Sequence, residues 1–105
     1  MNYVTYETAV LLKEVGFPQP EPEFGQVWFS ADRSPFVVGG FDTPRFYDDL
    51  VFAPTATDIM RALPGLSMRF HSHLKEWQTR YKKNETRRAH KEPAEACALA
   101  WLYFI

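Results

Sequence analysis

The chain has 105 residues, of which 46% are aliphatic or aromatic and 16% aromatic, with one cysteine and a formal net charge of −1. This composition excludes a disordered chain and an intramolecular disulfide, and the length suits a single domain over residues 1–105 that hides roughly two-thirds of its unfolded surface on folding. Charge is unevenly spread: residues 1–60 carry three basic and nine acidic side chains, a net of −6, whereas residues 61–105 carry nine and four, a net of +5. Such asymmetry suits an anionic partner, or a fold in which the two parts neutralise each other.

The first helix is predicted to start at Thr5, whose hydroxyl can accept an orphan amide, and the spacing puts Thr8, Leu11, Leu12 and Val15 on one face. Gly16 ends it by taking the left-handed conformation, Phe17 folds back as the closing hydrophobic contact, and Pro18 cannot continue the turn. Pro18 to Pro22 alternates prolines and is expected to be an extended connector; its spacing is not that of a PxxP ligand. Gln26 to Ser30 favours a strand, Phe36 to Val38 a second ahead of the Gly39-Gly40 turn, and Arg45 to Tyr47 a third after a turn at Asp42-Thr43-Pro44.

Thr55 is followed three residues later by Asp58, an acidic capping box that starts a second helix through Ile59, Met60 and Leu63, and Pro64-Gly65 stops it. Met68 and Phe70 then alternate with Ser67, Arg69 and His71, and Trp77, Thr79 and Tyr81 with Gln78, Arg80 and Lys82. This pattern predicts an antiparallel hairpin with one buried face and its basic side chains toward water. Pro93 suits the first position of the last helix, with Glu92 and Glu95 near its positive end.

That helix is apolar nearly all round: Cys97, Ala98, Trp101, Leu102 and Ile105 form one stripe, and Ala96, Leu99, Ala100, Tyr103 and Phe104 cover the rest. One side can lie on a sheet, and the other needs either a further helix of the same chain or a second subunit, so a homodimer is one expectation. The uncharged run Ala96 to Ile105 is ten residues, about half of a membrane span. Met1 to Thr5 carries neither the basic nor the apolar region of a secretory signal, so the expected location is cytoplasmic, with no membrane partner. The expected fold is α+β: a small antiparallel sheet of about four to five strands packed by an N-terminal helix, a short middle helix and a buried C-terminal helix.

Glu7-Thr8-Ala9 leading to Leu11-Leu12-Lys13-Glu14 and Gly16-Phe17-Pro18-Gln19, then Phe52-Ala53-Pro54-Thr55, Trp77, and Pro93-Ala94-Glu95-Ala96 running into Trp101-Leu102, resemble a group of short uncharacterised proteins of bacterial phages, prophages and other integrated elements. The landmarks span the chain in pieces, and each is a cap, a helix stop or a core residue; Asp32 to Asp49 departs from the pattern. The resemblance implies a fold and a genomic setting. It implies no activity and no catalytic residue.

Few residues suggest chemistry. His71 and His73 are two apart, which on a strand places both imidazoles on one face, but zinc needs three or four ligands, and His90, Asp48, Asp49 and Cys97 stand at no ligand spacing. Polar turn residues are the plainer reading, so no metal and no cofactor is expected. Cys97 lies in the apolar last helix, where desolvation keeps a thiol inert, and Asp48 and Asp49, as neighbours on a strand, face opposite ways.

The segment 80–91 is the most suggestive. Arg80, Lys82, Lys83, Arg87, Arg88 and Lys91 stand against Glu85 alone, and such runs attract phosphate backbones while Tyr81 offers a ring for stacking on a base. A solvated connection to the last helix would carry the same charges. The leading expectation is a non-enzymatic accessory protein of a mobile element that contacts a protein partner, with a small nucleic-acid-binding module as the alternative.

Overall fold

The computed structural model describes residues 2–39, 50–82 and 87–104, and at Arg87 and Arg88 the backbone alone. The strand expected at Arg45 to Tyr47 with its turn, and Asp48, Asp49 and Lys83, lie outside the described residues. What is described is an α+β fold with three helices and two three-stranded antiparallel sheets. The expectation of one sheet of four to five strands is corrected on that point.

Helix α1 (Tyr6–Glu14) is capped by Thr5, whose hydroxyl accepts from the Thr8 amide at 3.3 Å. At its other end Gly16 takes a φ of 96° and the Phe17 amide donates to the Leu12 carbonyl at 2.8 Å, which closes the last turn. The inward stripe differs from the expected one. Ala9 and Leu12 are fully buried, whereas Leu11 and Val15 are 49% and 51% exposed.

The Thr5–Thr8 edge of α1 is met by Glu95 of helix α3 (Pro93–Phe104). Its carboxylate accepts from the Thr5 amide and from the Thr8 hydroxyl, both at 2.7 Å. This ties the Thr5–Thr8 edge of α1 to α3.

The first sheet holds β1 (Val27–Phe29), β2 (Pro35–Val37) and β3 (Val51–Phe52) in the order β2-β1-β3. Trp28 pairs with Phe36 on one side and Phe52 on the other. Two residues are too few to show alternation, and β3 was not expected. Its outer edge is closed by the proline-rich connector: the Phe52 amide donates to Gln19 Oε1 at 3.0 Å, and Gln19 Nε2 donates to the Phe17 carbonyl at 3.2 Å.

Helix α2 (Ala56–Ala62) has both halves of the capping box, with Asp58 N–H on Thr55 Oγ1 at 3.2 Å and Thr55 N–H on Asp58 Oδ2 at 2.9 Å. The second sheet follows, with β4 (Leu66–His71), β5 (Glu76–Tyr81) and β6 (Arg87–His90) in that order. Met68 pairs with Thr79 and Phe70 with Trp77 on the side the alternation sets inward, but Phe70, toward the end of β4, is 47% exposed and not buried as expected. Strand β6 replaces part of the expected solvated connection. Its residues show no apolar alternation, and it is a strand because the open edge of β5 supplies backbone partners.

Helix α3 packs on the second sheet and against both α1 and α2. Phe17 meets Trp101 edge-on at 4.8 Å, and Tyr81 stacks on Phe104 at 5.0 Å. One continuous core takes residues from both sheets and all three helices. The far side of α3 is thus covered by helices of the same chain, and the large apolar side chains it leaves exposed are Leu99 and Tyr103. The surface that motivated a homodimer is largely used within the chain. Trp101 carries a cost, because its buried indole N–H finds no acceptor among the described residues. No helix of the described residues is long and apolar enough to cross a membrane.

Candidate nucleic-acid interface

The strand period divides the second sheet into two chemically distinct faces. On the face against α3, Leu66 is buried in the core and Met68 and Tyr81 pack on it, with Thr79 fully buried between them. On the other face the register brings Ser67, Arg80 and Arg87 into one row and Arg69, Gln78 and Ala89 into the next, with His71 opposite Glu76 at the end. Glu76 is the single acidic residue of these rows.

Ser67, Arg69 and Arg80 are exposed, and a depression of about 180 Å³ opens there, lined by Ser67, Arg69, Gln78 and Arg80 over Met68 and Thr79. The Ser67 hydroxyl donates to the Arg80 carbonyl across the strands at 3.3 Å. The hairpin fixes these positions because Gly65, with a φ of 98°, starts β4 directly after α2 and its carbonyl accepts from the Lys82 amide at 2.9 Å.

Several residues of the segment 80–91 therefore occupy different places. Arg80 stands on the outer face, and Arg87 holds the β6 position opposite it, while Arg88 holds the position opposite Thr79. Lys82 and Lys91 are exposed beyond the ends of β5 and β6. Tyr81 corrects the expectation of a base-stacking ring: it lies on the α3 side, stacked on Phe104, with Lys82 Nζ at 5.1 Å from its ring centre. Ser67, Arg69 and Gln78 are the residues that reading a linear segment missed. Alternation had set Ser67 and Arg69 outward, but their place beside Arg80 depends on the register.

The remaining candidates do not converge. His71 ends β4, and His73 sits in the turn, so strand periodicity does not align them; their ring centres are 6.1 Å apart. His71 Nδ1 accepts from the Leu74 amide at 3.3 Å and His90 Nδ1 from the Glu92 amide at 2.9 Å. Among the described residues no three His, Cys, Asp or Glu side chains form a group that could hold a metal. Cys97 is fully buried with its sulfur 3.7 Å from that of Met68, and burial pushes its thiol up to about 11.

Compared with protein-family models, curated proteins and solved structures, the chain matches none.

Proposed function

We propose that the protein is a non-enzymatic binding module that holds the phosphate backbone of a nucleic acid on the outer face of β4–β5–β6. The observation that carries this reading is the register of the sheet. It collects Arg69, Arg80 and the Arg87 position on one surface with Ser67 and Gln78, against Glu76 alone. Guanidinium groups on an exposed face gain from phosphates through counterion release, and hydroxyl and amide side chains add the polar contacts that set orientation. The buried, protonated Cys97, and His71 and His90, whose Nδ1 atoms accept from backbone amides, support a binding role over a nucleophilic one.

In the mobile-element setting that the resemblance implies, such a module is an accessory factor that acts on the element's nucleic acid. A protein partner is the second reading. The outer side of α1 favours it, where Leu11 and Val15 are half exposed beside Glu7 and Glu14.

The test is retention on immobilised mixed-sequence nucleic acid over a salt series. Two arginine–phosphate contacts, from Arg69 and Arg80, predict a log–log salt slope of about −2. Reversing Arg69 and Arg80 together to glutamate lowers the steepness by about two, whereas Arg61→Glu on α2 leaves it unchanged. An unchanged slope in the double variant removes the reading.

A further inference from the structure

We infer that two copies of the chain pair edge to edge through β4, antiparallel about Met68, and so join their second sheets into one of six strands. This goes beyond the nucleic-acid reading and is independent of it, since pairing in the plane of the sheet leaves the outer face open. It also uses a different surface from the last helix, whose far side is covered within the chain.

The backbone of β4 has groups to offer. Opposite residues of an antiparallel pair alternate between those that exchange both hydrogen bonds and those that exchange none. The Lys82 amide donates to the Gly65 carbonyl, and the unbroken register from Leu66–Tyr81 to His71–Glu76 carries that phase to Ser67, Arg69 and His71. The amides and carbonyls of Leu66, Met68 and Phe70 therefore point away from β5. The Leu66 amide accordingly donates to the Leu63 carbonyl at 3.1 Å. Among the described residues no strand pairs with that side of β4. Met68 and Phe70 keep both groups, and Leu66 its carbonyl, for a partner strand.

The other edges are guarded. Strand β2 is three residues long and begins with Pro35, the outer amide of β3 is taken by Gln19, and β6 carries Arg87 and Arg88. Short length, proline, cover and charge are the means by which sheets keep their edges from pairing. Strand β4 is six residues long without proline, and its inward residues Leu66, Met68 and Phe70 are apolar. Helix α3 lies mainly over β5 and β6, which leaves Phe70 47% exposed and Leu74 in the following turn 58%.

Self-pairing about Met68 satisfies the backbone and covers the ring. Met68 stands opposite Met68 of the second copy and exchanges both hydrogen bonds with it, while each Phe70 amide donates to the Leu66 carbonyl across the seam. On the inward face Phe70 comes beside Leu66 of the second copy, at the roughly 5 Å of a cross-strand pair. On the outward face Ser67 stands opposite Arg69. A centre at Arg69 would set the two guanidinium side chains directly opposite each other, where like charges repel. A centre at Ser67 would bring Phe70 against Pro64, which precedes the strand and has no amide. The strand is thus complementary to itself in one register, as a two-fold dimer requires.

The experiment follows the mass of the full chain by sedimentation equilibrium without nucleic acid, from about 1 μM to about 500 μM. The mean mass rises from 12.2 kDa toward twice that value. Ser67→Glu, which sets a carboxylate opposite each Arg69, moves the midpoint about fivefold lower in concentration, and Ser67→Arg moves it about fivefold higher. Phe70→Lys, an inward charge at the edge, abolishes the dimer. Both positions are exposed, and urea midpoints of the dilute variants that stay with the parent confirm that they are folded.

A chain that remains at 12.2 kDa throughout overturns the inference, and the edge of β4 then suits a strand of another protein. A dimer whose midpoint ignores both Ser67 variants also overturns it, because the contact then lies elsewhere. Either result leaves the nucleic-acid reading in place.

Discussion

Substituting Glu95 by alanine is the sharpest test of how this fold is held. Glu95 is 8% exposed, and its two carboxylate oxygens accept from the Thr5 amide and the Thr8 hydroxyl, 90 and 87 residues away in sequence. Truncation leaves both donors inside a packed seam between α1 and α3, and hydrogen bonds to a charged group are worth about 1.5–3 kcal/mol each. The expected loss is about 3–5 kcal/mol, a large share of the roughly 5–15 kcal/mol that holds a small domain folded. At about 4 °C per kcal/mol for a chain near this size, the melting temperature falls by about 12–20 °C. Urea denaturation at neutral pH is the assay, read at constant m so that stability and not compactness is compared. Glu14→Ala, on the exposed end of α1, is the control and stays within about 0.5 kcal/mol. Glu95→Gln, which keeps one acceptor, falls between the two. A Glu95→Ala variant within about 1 kcal/mol of the parent would refute the claim that this carboxylate ties α1 to α3.

Three further outcomes are expected. Thr55→Ala removes one half of the α2 capping box and costs about 1 kcal/mol by the same urea assay, and pairing it with Asp58→Ala gives less than the sum because the two side chains satisfy each other's backbone amide. Gly65→Ala costs about 1–2 kcal/mol because φ at this position is 98°; the added Cβ would also meet Lys82 Cγ at 3.0 Å, but that flexible side chain can move aside, so Lys82→Ala does not rescue it. Burial raises the Cys97 thiol from its ordinary 9.0 to about 11. Above pH 9 the unfolded chain therefore releases this proton first and stability declines as pH rises, by up to about 3 kcal/mol, and Cys97→Ala abolishes that part of the decline when urea midpoints at about pH 8 and about pH 10.5 are compared.

Local chemistry was legible wherever a few neighbouring residues settle the matter among themselves. Thr5, the Gly16-Phe17 stop, the Thr55/Asp58 box, the Met68/Phe70 and Trp77/Thr79/Tyr81 alternation and the start of α3 at Pro93 each depend on contacts within about one turn or one hairpin. The all-apolar last helix likewise implied cover on two sides, which α1, α2 and the second sheet supply.

Decisions taken between distant segments were not legible. The N-terminus of α1 is tied to a carboxylate on α3, the edge of β3 is closed by a glutamine between prolines, and β6 is a strand only because β5 offers it an edge. The candidate site belongs to this second group. Basic residues were visible along 80–91, but which of them share a surface depends on strand register, which moved Tyr81 to the α3 side and brought Ser67, Arg69 and Gln78 beside Arg80. A run of sequence records charge, and the pairing of strands decides where that charge faces.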